Sequence, residues 1–172
     1  MRKNKCVFLD RDGVINTERG DYTFMKDDFE VINGVTEALG KLKQSGFHLV
    51  VVTNQAGISR GLFSIDQLYE CHEYMNIMTN SVVDEVYYSR WHPSVSESLA
   101  RKPDTLMFER GLAKYDVDPS LSWMVGNAER DLIPARKLDI QTILIGKKDS
   151  GIMADYYCSN LFEATKIILN SG

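Results

Sequence analysis

The sequence predicts an α/β fold, a doubly wound parallel sheet, in a single domain spanning residues 1–172. Two observations predict it. Short apolar runs rich in β-branched residues alternate with longer stretches whose apolar positions recur at helical spacing. Polar residues able to do chemistry then collect directly after the short runs, where an open parallel sheet gathers its ligands.

The first run, Cys6–Leu9, predicts a strand, and Val35–Gln44 predicts the first helix, stopped by Gly46. His48–Val52 is the second strand candidate. Ser64 is a natural N-cap for a helix over Ile65–Asn80. Glu85–Tyr88, Trp123–Val125 and Thr142–Ile145 predict further strands. They are separated by helical patterns at Leu106–Lys114 and Ala128–Lys137, and a last helix falls near Leu161–Leu169. Strands joined by helices of this length imply right-handed crossovers. The irregular stretches are Asn16–Asn33, Gln55–Ser64 and Arg90–Thr105, and long loops in compact domains are often functional. "GKKDSG" at Gly146–Gly151 reads as a solvated turn, with Lys147 and Lys148 its only claim on a nearby site.

Hydrophobic residues make up 44% and charged residues 26%, the balance of a soluble globular protein. A net charge of −4 argues against nucleic acid, whose phosphates favour a basic face. The apolar run near the start is too short for a signal peptide or a membrane span. Cys6, Cys71 and Cys158 show neither metal nor disulfide spacing, so a cytoplasmic protein is expected.

The strand ends carry the chemistry. Asp10 and Asp12 follow the first strand; Thr53, Asn54 and Gln55 follow the second. Arg101 and Lys102 lie beyond the third, and Asn127 and Asp131 follow the fourth. This set suits phosphoryl transfer. Carboxylates hold Mg²⁺, a hard cation that takes oxygen ligands. A hydroxyl, an amide and cations stabilise phosphoryl oxygens. One aspartate can attack phosphorus and a second can exchange the proton with the leaving alcohol and with water. A divalent cation also explains why like charges two residues apart end a strand, with Gly13 permitting the turn that follows.

"DRDGV" at Asp10–Val14, Thr53 after "VV", the lysine of "RKP" at Arg101–Pro103, and "VGNAERD" at Val125–Asp131 resemble the four ordered motifs of the haloacid dehalogenase superfamily. "FLDRDGVIN", "FEVINGV", "VTNQAGISRG" and "RKP" resemble the branch that holds D-glycero-D-manno-heptose 1,7-bisphosphate 7-phosphatase and histidinol-phosphate phosphatase. The resemblance implies a Rossmann-like core with little or no cap, and a monomeric phosphatase acting on a small phosphorylated sugar. Heptose 1,7-bisphosphate is the first expectation and histidinol phosphate the alternative. It further implies Asp10 as nucleophile, Asp12 as general acid and base, and Thr53 and Lys102 as phosphate binders. Asn54 and Arg101 would contact substrate or phosphate. Mg²⁺ would sit on Asp10, the backbone carbonyl of Asp12, and a fourth-motif residue, Asp131 or Asn127. Arg60 and His92 are further substrate-side candidates, whereas His48 and His72 read as structural or surface residues.

Two departures stand out. The branch usually has Asp where this chain has Asn127, which removes one charge from the metal site. Many members also carry a structural zinc loop, whose ligand positions here read Ser89, Trp91, Ser98 and Ala100, so no structural zinc is expected. Two other function classes compete. A receiver-type signalling domain would need an acceptor Asp at the end of the third strand, where this chain has Tyr87-Tyr88-Ser89. A non-catalytic phosphosugar binder would have no use for an intact Asp10 and Asp12 pair.

Overall fold

The computed structural model describes residues 4–147 and 151–171, so Lys148 of the predicted turn lies outside the described residues. Six parallel strands form one sheet in the order β3-β2-β1-β4-β5-β6. In chain order these are β1 (Lys5–Leu9), β2 (Phe47–Asn54), β3 (Glu85–Ser89), β4 (Trp123–Gly126), β5 (Gln141–Ile145) and β6 (Tyr156–Cys158). The helices are α1 (Val35–Gln44), α2 (Ile65–Met78), α3 (Leu106–Lys114), α4 (Glu129–Lys137) and α5 (Leu161–Asn170).

Strand alternation divides the core in two. Val7 and Leu9 of β1 point to one face and pack with α1, α2 and α5 through Leu39, Met75 and Leu161. Cys6 and Phe8 point to the other, where α3 and α4 supply Phe108 and Leu132. Strands buried on both faces read as continuous apolar runs, as "CVFL" and "LVVV" do. Phe8 meets Phe108 with ring centroids 5.1 Å apart.

The chain winds from β1 outward through β2 to β3, then crosses back to β4 beside β1. The strand order therefore reverses between β1 and β4, and a crevice opens above their carboxyl ends. The segment between β1 and α1 folds back as turns, the bridges Asp12 to Asn16 and Asn16 to Val31, and a 3-10 turn at Lys26–Asp28. It forms a rim of loops over the crevice rather than a cap layer. Buried Val14 and Ile15 fasten that rim to the core.

Candidate active site

Residues read from the strand ends and from the loop before α3 meet here. Asp10 leaves β1 with its amide bonded to the Val125 carbonyl of β4, which fixes where its carboxylate starts. Lys102 reaches in from the loop before α3. Its Nζ lies 2.8 Å from Asp10 Oδ1, 2.8 Å from Asp131 Oδ1 and 2.7 Å from the Val52 carbonyl. Asp131, in the first turn of α4, turns back so that Oδ2 accepts the amides of Asn127 and Ala128. Thr53 completes the floor at the end of β2. Asp10, Lys102 and Asp131 are all buried, so one ammonium serves two carboxylates away from water.

The electrostatics follow from that count. Burial, then the nearby Asp131, push Asp10 up to about 6, with Lys102 opposing. Burial works against the charge on Lys102, but Asp10 and Asp131 outweigh it and raise its pKa. Asp12 sits differently. Burial alone would raise it, yet the Arg11 charge and hydrogen bonds from Arg11, Asn16 and Gln55 hold it below the usual carboxylate range. Gln55 Nε2 donates to both Asp12 Oδ2, at 3.0 Å, and Thr53 Oγ1, at 2.9 Å, and so links the ends of β1 and β2.

Asn54 has a second duty beside the cleft. Its amide bonds the Lys102 backbone in both directions at 3.0 Å, which clamps the lysine's loop onto β2. A cleft of about 400 Å³ opens over Asp10, Asp12, Thr53, Asn54 and Lys102, with Arg60 on its wall. Glu18, Tyr22 and Arg130 also line it; the sequence points to the loop that carries Glu18 and Tyr22 but singles out none of the three. His92 and Arg101 lie outside the lining. The His92 ring meets Ser94, and Arg101 Nη1 donates to the Trp91 carbonyl. Arg101 is close enough to feel Tyr22 and Arg130; burial, foremost, lowers its pKa, with Arg130 adding to the effect and Tyr22 opposing it.

The donors available fit a hard divalent cation. Asp10 and Asp131 supply carboxylate oxygens, and Asn127 Oδ1 is buried without a hydrogen-bond partner. The amide of Asn127 faces Glu18, whose Oε2 accepts from Nδ2 at 2.8 Å; a carboxylate only accepts, so Oδ1 is turned the other way. Among the described residues no group of three His, Cys, Asp or Glu side chains gathers to hold a metal. The four positions aligned with the zinc loop, Ser89, Trp91, Ser98 and Ala100, carry no thiolate or imidazole.

Gly13 makes the approach of these loops feasible. It sits at φ 80, and a Cβ there would overlap Asn127 Nδ2 and lie 3.1 Å from Glu18 Oε2. Gly13→Ala is therefore expected to cost about 1–3 kcal/mol, read from urea unfolding. It is also expected to raise the Mg²⁺ concentration needed for half-maximal stabilisation. Unchanged values in both measurements would mean that the turn relaxes freely.

A parallel sheet carrying a buried Asp, Lys and Asp at its switch point, with a third Asp beside them, defines a phosphoryl-transfer class. Residues 12–145 match the haloacid dehalogenase-like hydrolases, and the chain belongs to that family. Its relatives are more particular. The D-glycero-beta-D-manno-heptose-1,7-bisphosphate 7-phosphatase of Haemophilus ducreyi is 36% identical over 160 residues, covering 88% of this chain and 87% of the relative. The D-glycero-alpha-D-manno-heptose-1,7-bisphosphate 7-phosphatase of Burkholderia mallei is 35% identical, covering 88% and 85%. The D,D-heptose 1,7-bisphosphate phosphatase of B. bronchiseptica, solved with magnesium and phosphate, superposes with a TM-score of 0.88. That match is 26% identical and covers 98% of this chain and 99% of the other.

Proposed function

We propose that this chain is a magnesium-dependent phosphomonoesterase that removes the 7-phosphate of D-glycero-D-manno-heptose 1,7-bisphosphate. The observation that carries the reading is the buried Asp10–Lys102–Asp131 set under a cleft, in a chain similar to such phosphatases over most of its length. Asp10 is the nucleophile: its free carboxylate oxygen attacks phosphorus and the ester P–O bond breaks, leaving an aspartyl-phosphate. Asp12 gives a proton to the departing alkoxide, then takes one from the water that cleaves the Asp10–phosphorus bond. Asp12 rests ionised, so the charge of the arriving phosphoryl group must draw a proton onto it first. Lys102 and Thr53 hold the transferring oxygens, and Arg60 and Arg130 face the distal part of the substrate. Asp10, Asp131, Asn127 Oδ1 and the Asp12 carbonyl would hold Mg²⁺, which when bound neutralises phosphoryl charge.

The test is kcat/KM with Mg²⁺ for both anomers of the bisphosphate beside histidinol phosphate. Preference for either anomer by more than about tenfold is the expected result, a difference worth roughly 1.4 kcal/mol. Preference for histidinol phosphate would overturn the substrate and keep the chemistry. Binding without turnover would favour the non-catalytic phosphosugar binder.

A further inference from the structure

We propose that His72 is a positioning residue for the acid and base work of Asp12, acting through the buried side chain of Arg11. The inference rests on the reading of Asp12 given above.

Arg11 lies between the two aspartates in sequence, yet its side chain is fully buried, 0% exposed, and turned away from the cleft lining. Nη2 reaches Asp12 Oδ1 at 2.9 Å and Oδ2 at 3.0 Å, while Nε reaches Oδ1 at 3.3 Å. Nη2 also donates to the Thr23 carbonyl at 2.6 Å. The remaining nitrogen, Nη1, lies 3.2 Å from His72 Nε2 on α2. A guanidinium carries only donors, so Nε2 must be the acceptor and its proton must be elsewhere. An imidazolium has no lone pair to offer. Burial, then the Arg11 charge, push His72 down to about 3, so its ring stays a neutral acceptor across the working pH range.

The consequence is a relay of position. Asp12 is oriented by Arg11, and Arg11 is held at its far end by a ring on another element. Leucine at 72 would leave a fully buried N–H without an acceptor, a deficit Arg11 can relieve only by swinging its fork off Asp12. A nearby displacement of this kind misaligns proton transfer without touching the nucleophile.

Leaving-group chemistry separates this role from a structural one. An alkoxide needs a proton as the P–O bond breaks; a nitrophenolate does not. Formation of the Asp10 phosphoenzyme is measured in single turnovers by rapid quench, with heptose bisphosphate and with 4-nitrophenyl phosphate. His72→Leu is expected to slow the sugar phosphate about 10- to 100-fold and to leave the aryl ester within about twofold. His72→Gln, whose amide oxygen reaches the Nε2 position, is expected to restore the sugar phosphate rate. His72→Asn, polar but too short, is expected to behave like leucine, and it decides the matter if leucine fails to fold. No split between the esters in His72→Leu or His72→Asn overturns the proposal, provided Asp12→Ala shows one. Equal slowing of both esters in Asp12→Ala would instead overturn the role given to Asp12, and with it the inference.

Discussion

Asp10→Asn is expected to lower phosphatase turnover by at least about 10³-fold while making the metal-free protein harder to unfold at pH 8. The first effect follows from removing the oxygen proposed to attack phosphorus. The second follows from the charge count. Two carboxylates and one ammonium share a buried site, so the ionised set carries one uncompensated negative charge. Asp10 bears the cost, its pKa moving from 3.8 to about 6. A carboxyl raised on folding favours the folded state fully below its unfolded value and loses that advantage as pH climbs through the folded value. Ionised Asp10 thus weakens the metal-free fold above pH 6, by on the order of 3 kcal/mol. Asparagine removes the charge yet still accepts a hydrogen bond from Lys102. In chelator, the variant's advantage in urea unfolding should be absent near pH 4 and full at pH 8. Added Mg²⁺ should stabilise the parent and reverse the order. A stability difference independent of pH would mean that Asp10 is not perturbed.

That charge count was partly legible before any coordinates. Asp10, Thr53 and Asn54 stand just past apolar runs and Asp131 one helical turn further on, and a parallel sheet sends such positions to one edge. Lys102 was harder, since "RKP" alone reads as a solvated loop. Its burial comes from Asn54 clamping the backbone and from Asp10, Val52 and Asp131 waiting at the floor, both tertiary facts. Glu18, Tyr22 and Arg130 lie on loops or a helix end, where no period marks the inward residue. His72 reads from sequence only as structural or surface, because an amphipathic pattern does not say which buried group a residue faces; it is buried. The elements show similar limits. β6, Tyr156–Cys158, was missed because three residues running from exposed to buried carry too little alternation. Helix α2 stops at Met78, short of the expected Asn80, because Asn80 and Ser81 adopt positive φ values of 58 and 54. The second strand runs two residues past the expected Val52, because β3 pairs with β2 as far as Asn54.

Lys102→Met is the converse experiment and is expected to destabilise the metal-free protein by about 3–5 kcal/mol at pH 8. Methionine keeps most of the volume, so packing loss is small. What goes is the charge between Asp10 and Asp131, and two buried carboxylates then face each other without compensation. Folding can proceed only if one of them takes up a proton. Asp10 is the group that does so, since its pKa is already raised with the lysine present. The penalty should therefore shrink steadily as the pH is lowered toward 5. Lys102 does not titrate in this window: its folded pKa is raised above 10.5, so its contribution fades only in more alkaline solution. Mg²⁺ should recover part of the lost stability, because a cation replaces the missing ammonium charge. It should recover little of the activity, because no donor then meets the phosphoryl oxygens from that side; a loss of about 10²–10³ in kcat/KM is expected. Urea unfolding at pH 5 and pH 8, with chelator and with Mg²⁺, decides it. Equal losses under all four conditions would reduce Lys102 to a packing residue and remove the electrostatic basis of the site.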